Sequence, residues 1–198
     1  MTANKNFTIG KRQESERTGV RQPFKKALLA GAITGWESCT VLEDLPVMDF
    51  KTAPDLVALR NDGHVALIEC KRATSGQAKK GMFEQVLMYG EILRPLLEPD
   101  RCAAFEEQCR RASNWSSEAG LTGFLGSSTP RPLHLWIVVD RWSGRMEQTA
   151  RHTWGFLNRA LAHEQRPPIR VWAVGDLDVP VDVAERRALW AKAARARA

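Results

Sequence analysis

The chain has 198 residues, of which 43% are hydrophobic and 26% charged, and its formal net charge is +6. That length and mix suit one soluble domain with a real core. No apolar run approaches the roughly 20 residues that span a bilayer. The opening stretch, MTANKNFTIGKRQ, lacks the apolar core of a secretory signal, so a cytoplasmic protein with no membrane partner is expected. The modest positive charge favours a polyanionic partner and says nothing of the fold. The basic residues cluster, with Lys11, Arg12, Arg17, Arg21, Lys25 and Lys26 near one end and Arg186, Arg187, Lys192, Arg195 and Arg197 near the other. Either cluster reads equally well as a solvated helix face.

Residues 1–13 are polar and expected to fray. A helix is expected over residues 14–32, because Val20, Phe24, Leu28 and Ala32 recur at helical spacing. Pro23 interrupts it and implies a kink or a second start; Gly31 and Gly35 close it. SCTVL (38–42) reads as a first strand, and 43–52 as a polar connection. Two apolar runs, 56–59 and 64–68, flank Asn61-Asp62-Gly63, which is β-hairpin turn chemistry. A helix over 77–93 follows, its buried stripe marked by Met82, Val86, Tyr89 and Leu93 and its end by Pro95. Residues 101–112 read as helical and 114–132, rich in Gly and Ser, as a long loop. In that loop Trp115 and Phe124 are read as anchors rather than stacking groups. LHLWIVV (133–139) is a near-continuous apolar run, the pattern of a strand buried on both faces. A helix over 146–163, a strand over 169–174 and a last helix over 181–198 complete the chain. The sum is a single α/β domain over residues 1–198, a mixed sheet flanked by helices.

Four cysteines, Cys39, Cys70, Cys102 and Cys109, lack close pairing. They read as free, mostly buried thiols in a reducing compartment. His64, His134, His152 and His163 show no metal or nucleophile spacing and read as incidental.

The hairpin carries the chemistry. Strand side chains alternate faces, so Glu69 and Lys71 share one face while Ile68 and Cys70 take the other. If the loop is the three residues Asn61 to Gly63, Arg60 pairs with His64 and Asp55 lies opposite Glu69, with Cβ atoms about 5 Å apart. If the loop is Asp62-Gly63 alone, Asp55 faces away. Two opposed carboxylates repel unless something holds them, and a hard divalent cation is the obvious agent. This favours the three-residue turn, with a metal between Asp55 and Glu69.

Pro54-Asp55 followed by Glu69-Cys70-Lys71 resembles the signature of the PD-(D/E)XK nuclease superfamily. Gln85-Val-Leu-Met-Tyr89 resembles the QxxxY motif of its RecB-like branch. The segment SERTGVRQPFKKALLAGAITGWE resembles the first helix of type I restriction-subunit nuclease domains. The motif-bearing match runs from Glu16 to Tyr89. Beyond it the agreement is one of element order: an αβββαβ core with a C-terminal strand–helix extension.

The resemblance implies a restriction-endonuclease-like fold and Mg²⁺-dependent hydrolysis of phosphodiester bonds, with Mn²⁺ able to substitute. Asp55, Glu69 and the backbone carbonyl of Cys70 would hold the ion. Lys71 would orient the attacking water, stabilise charge on the phosphate or act as base. Glu16 would be the first-helix glutamate, with Glu14 and Glu37 as competitors. Gln85 would approach the phosphate with Tyr89 supporting it; alternatively Tyr89 is core and Gln85 exposed. Arg17, Arg21, Arg72 and Tyr89 would contact nucleic acid. DNA is the implied polymer, and endonuclease action is placed ahead of exonuclease. The implied settings are phage defence, restriction, mobile-element processing or repair, with a homodimer or larger complex for sequence-specific cutting. An RNase on the same fold, and a catalytically silent binding module, are the other readings. Some QxxxY nucleases carry a four-cysteine iron–sulfur cluster, but the spacing here argues against one.

Overall fold

The computed structural model describes residues 17–46, 53–73, 81–112, 114, 131–142, 144–175 and 181–184. Residues Arg17–Arg21 form one π-helical turn that runs into helix α1, Gln22–Leu29. Pro23 sits in the first turn of α1, where its missing N–H costs nothing. The proline therefore marks a second helix start, one of the two outcomes expected of it. Strand β1 (Cys39–Glu43) and strands β2 (Leu56–Arg60) and β3 (Val65–Lys71) follow. Helices α2 (Met82–Leu93) and α3 (Cys102–Arg110) lead to strand β4 (Leu133–Val139). Helix α4 (Gly144–His163), strand β5 (Arg170–Ala173) and strand β6 (Val181–Asp182) complete the described elements.

Among the described residues these strands form one mixed sheet in the order β1 to β6. β1, β2 and β3 are an antiparallel meander, β3, β4 and β5 run parallel, and β6 returns antiparallel on β5. A final helix beginning at Val181 was expected; instead Val181 and Asp182 pair with Ala173 and Trp172, and helical residues begin at Val183. The cause is local. Asp182 is buried at 3.8 Å from Arg170 of the neighbouring strand, and its Oδ1 accepts the Ala184 N–H at 2.8 Å, at the start of the helical residues that follow. The remainder of the expected helix, from residue 185, lies outside the described residues, as do the expected fraying end at 1–13 and most of the loop at 114–132, with Trp115 and Phe124.

The hairpin has the three-residue turn. Leu56 pairs with Ile68 and Leu59 with Val65, and the Arg60 N–H donates to the His64 carbonyl at 2.9 Å. Gly63, at φ 90°, supplies the left-handed residue that the turn requires. Continuing that register one step past Leu56–Ile68 brings Asp55 to the level of Glu69.

The sheet separates two hydrophobic clusters, and β3 is buried throughout. Val65 and Leu67 face α2, packing with Met82, Val86, Tyr89 and Leu93, and with Phe105 of α3 and Trp154 of α4. Ala66, Ile68 and Cys70 face α1, packing with Val20, Phe24, Leu28, Trp36, Trp136 and Trp172. α2 lies close against the sheet at Gly90, where an added Cβ would stand 2.8 Å from Leu135 Cδ2. The α2 stripe read from the sequence is thus the face that docks, and it carries Gln85 and Tyr89 towards the same side of the sheet as Glu69 and Lys71.

Candidate functional site

Asp55 precedes β2, while Glu69 and Lys71 end β3, so all three lie at the end of the hairpin away from its turn. The Cys70 N–H donates to Asp55 Oδ2 at 2.7 Å, which holds the aspartate across the strand pair. Glu69 Oε1 and Lys71 Nζ form an ion pair at 2.5 Å, with side chains only 2% and 8% exposed. Strand alternation puts both on the α2 face, in phase with Val65 and Leu67. Burial, the largest influence, lifts the Asp55 carboxyl above its ordinary range. The Cys70 N–H and the Lys71 and Arg21 charges pull it back, and Asp44 adds to the rise.

The donor set is suited to one kind of ion. It comprises two carboxylates from adjacent strands and the backbone around Cys70. Cys70 presents no thiolate, because burial and then the charges of Asp55 and Glu69 push its thiol well up. Among the described residues no group of three or more His, Cys, Asp or Glu side chains gathers to hold a metal. Few oxygen donors fit a hard cation that keeps most of its own water, as Mg²⁺ does, and not a site closed by protein ligands. A cation there would also relieve the burial cost of the Asp55 charge. The residues fit such an ion.

The other expected residues fall into three groups. Glu16 and Glu14 lie outside the described residues; Arg17 is placed only as part of the first helical turn. Gln85 and Tyr89 are brought together one turn apart, and Gln85 Nε2 donates to Tyr89 Oη at 3.2 Å. Arg72 follows the ion pair on β3 and is half-buried against the first turn, its Nη2 within 3.7 Å of where a Gly19 Cβ would be.

The third group is corrected. Tyr89 is 1% exposed within the α2 core, so it does not meet nucleic acid; its hydroxyl supports Gln85 instead. Arg21 is 5% exposed and gives its guanidinium to Glu43 at 2.9 Å and Asp44 at 2.8 Å, so it too is no surface contact. Glu37, a competitor for the first-helix role, is exposed at the opposite end of the hairpin. Its carboxylate accepts the Gly35 N–H at 2.8 Å, and β1 pairs Cys39 with Arg60 there.

Sequence reasoning missed two features near this edge. The first is the Arg21–Glu43–Asp44 cluster, with Lys25 also paired to Glu43. The second is Asp140, directly after β4, whose Oδ1 accepts the Ala73 N–H at 2.6 Å and the Arg141 N–H at 3.0 Å. It ties the chain leaving β3, just past Lys71, to the end of β4. A lone acid ending the run LHLWIVVD was the available signal. His64 Nδ1 and His134 Nε2 lie 2.8 Å apart at the turn end, a contact that neither residue's local sequence marks. Cys70 and Cys109 belong to the hydrophobic clusters on opposite faces of the sheet. Among the described residues no helix is long and apolar enough to cross a membrane.

No family model matches the chain, and searches of curated proteins and of solved structures give no match either.

Proposed function

We propose that the chain is a divalent-metal-dependent nuclease of the PD-(D/E)XK type, hydrolysing phosphodiester bonds of DNA. One observation carries the reading: Asp55, bonded to the Cys70 N–H, and the buried Glu69–Lys71 ion pair share one end of the hairpin. Like charges are set opposite each other at a cost, and a shared cation is what makes that cost useful. Helix, strand, hairpin and helix come in the sequence that the resemblance implies, with α3 added before β4.

Asp55, Glu69 and the Cys70 carbonyl would hold Mg²⁺, or Mn²⁺ in its place. Such an ion supplies a water that is nucleophilic near neutral pH and neutralises charge on the phosphate. Lys71, fixed by Glu69, directs its N–H donors to the attacking water and the phosphate oxygens. Gln85 is oriented by Tyr89 to hydrogen-bond the same phosphate. Arg72 offers a cation beside the site for the nucleic-acid backbone, an attraction that fixes position and carries no sequence information. Two strands cut together would require a homodimer or a larger complex.

The test is cleavage of supercoiled plasmid, linear duplex, single-stranded DNA and RNA, with Mg²⁺, Mn²⁺ or EDTA, by the parent and by Lys71→Ala. Metal-dependent cutting of DNA, lost in folded Lys71→Ala, is the expected result. Cutting of RNA alone would move the substrate to RNA. No cutting of any polymer by the folded parent, and no metal bound, would favour a binding module.

A further inference from the structure

Arg21 ends the first helical turn and Lys25 lies one turn later, both towards the end of β1. Arg21 Nη2 meets Glu43 Oε2 at 2.9 Å and its Nη1 meets Asp44 Oδ1 at 2.8 Å. Lys25 Nζ takes the other Glu43 oxygen. The Arg21 and Glu43 side chains keep only 6% and 7% of their surface. Asp44 adopts φ 49°, the left-handed region that non-glycine residues rarely enter. Its N–H is directed at the Asp55 carbonyl, at 3.4 Å. From outside the sheet, the Asn114 carboxamide accepts the Glu43 N–H at 2.6 Å and donates to the Val41 carbonyl at 2.8 Å. The end of β1 is therefore gripped on both sides, one backbone contact away from Asp55.

Stability is a poor explanation for this cluster. Taking an arginine and a glutamate out of water is costly, and apolar residues of similar volume in their place are often neutral or stabilising. What the cluster provides is geometry. A guanidinium is a rigid planar fork that fixes the two carboxylates it bridges. Here those carboxylates are adjacent residues, and the second is held in a strained backbone conformation whose N–H faces Asp55.

We propose that Arg21, through Glu43 and Asp44, is a positioning residue that fixes Asp55 for metal binding; this rests on the reading of Asp55 as a metal ligand. Arg21 does not touch the substrate. Its charge is committed inside the protein, and its effect passes through the end of β1. The first helix is thereby coupled to the carboxylate edge, so that a displaced helix loosens the ion.

The test uses the full chain and Mn²⁺ as probe, with affinity read by calorimetry or electron paramagnetic resonance beside thermal unfolding. Two variants are needed. Arg21→Met with Glu43→Met removes both buried charges together, and the partners they leave, Lys25 and Asp44, keep 20% and 45% of their side-chain surface for water. Asp44→Gly suits the left-handed backbone and removes the carboxylate that Arg21 grips. Both are expected to keep the parent's melting temperature or nearly so. Mn²⁺ affinity should fall tenfold or more, and kcat should drop with little change in KM for DNA, a split that a purely structural role would not produce. Asp55→Ala should abolish binding. If Asp55→Ala abolishes binding while both variants bind Mn²⁺ as the parent does, the positioning role is overturned and the metal site stands. If the parent binds no Mn²⁺, the metal site and the positioning role fall together.

Discussion

Lys71→Met isolates the buried ion pair at the end of β3. Glu69 and Lys71 are 2.5 Å apart with side chains 2% and 8% exposed, so water screens them little. Removing the ammonium leaves the Glu69 charge in a poorly solvated site, a change that costs about 3–5 kcal/mol in comparable pairs. In a domain of this size each 1 kcal/mol moves Tm by roughly 2–4 °C, so the variant should melt about 6–20 °C below the parent in EDTA. Replacing both partners, Glu69→Leu with Lys71→Met, should restore most of that loss, because neither charge is then stranded. Mn²⁺ gives the decisive contrast. Any ion binding the folded chain stabilises it, by about 2.7 kcal/mol at a hundredfold excess over Kd. Lys71→Met should gain more than the parent does, since a cation beside Glu69 replaces the missing ammonium. The double variant, lacking Glu69, should gain little. Thermal unfolding of the three proteins in EDTA and in Mn²⁺ reads all of this. A Lys71→Met melting temperature equal to the parent's in EDTA would refute the buried pair, and equal metal shifts in all three would refute Glu69 as a ligand.

Asp55→Asn should stabilise the metal-free protein near neutral pH while weakening Mn²⁺ binding at least tenfold. Burial raises the folded-state pKa of Asp55, so the stability linked to its neutral form is present below the unfolded pKa and is lost as pH rises through the folded one. Asparagine keeps an oxygen for the Cys70 N–H without the charge, and unfolding beside calorimetry checks both effects. His134 titrates in the opposite sense. Burial first, then His64, Arg170 and Arg60, lower its pKa from 6.5 to about 4. Stability linked to neutral His134 is complete above pH 6.5 and lost as pH falls towards about 4. An NMR titration of its ring proton should show that low midpoint; a midpoint near 6.5 would contradict it. Gly90→Ala puts a methyl 2.8 Å from Leu135 Cδ2 in the core. An overpacking cost of about 1–3 kcal/mol against a helix-propensity gain of about 1 kcal/mol leaves a loss of about 0–2 kcal/mol, read as an unchanged or lower denaturant midpoint; a raised midpoint would contradict the close packing.

The parts of the fold legible in the sequence are those set by short-range pattern. Asn61-Asp62-Gly63 between two apolar runs specified the hairpin, and LHLWIVV gave both ends of β4. The placing of Asp55 level with Glu69 needed more than strand alternation, because the sequence left a two-residue turn open and a cation shared by two carboxylates was what favoured the three-residue one. Contacts made by distant residues were not legible. Arg21 lies 22 residues from Glu43, and nothing local to either marks the pair. His64 and His134, 70 residues apart, meet because β3 and β4 run parallel in one register. Tyr89 shows the limit within one motif. Its helical spacing marked a buried stripe, and burial is what removes it from any nucleic-acid surface. β6 was missed because two paired residues are too short to outweigh the helical pattern expected after them.

An anomalous difference map from crystals grown with Mn²⁺ would locate the ion directly. A peak is expected between the carboxylates of Asp55 and Glu69, with ligand distances of about 2.0–2.3 Å and waters completing the shell. A fully occupied ion elsewhere, or none at saturating Mn²⁺ with Glu69 still paired to Lys71, would contradict it.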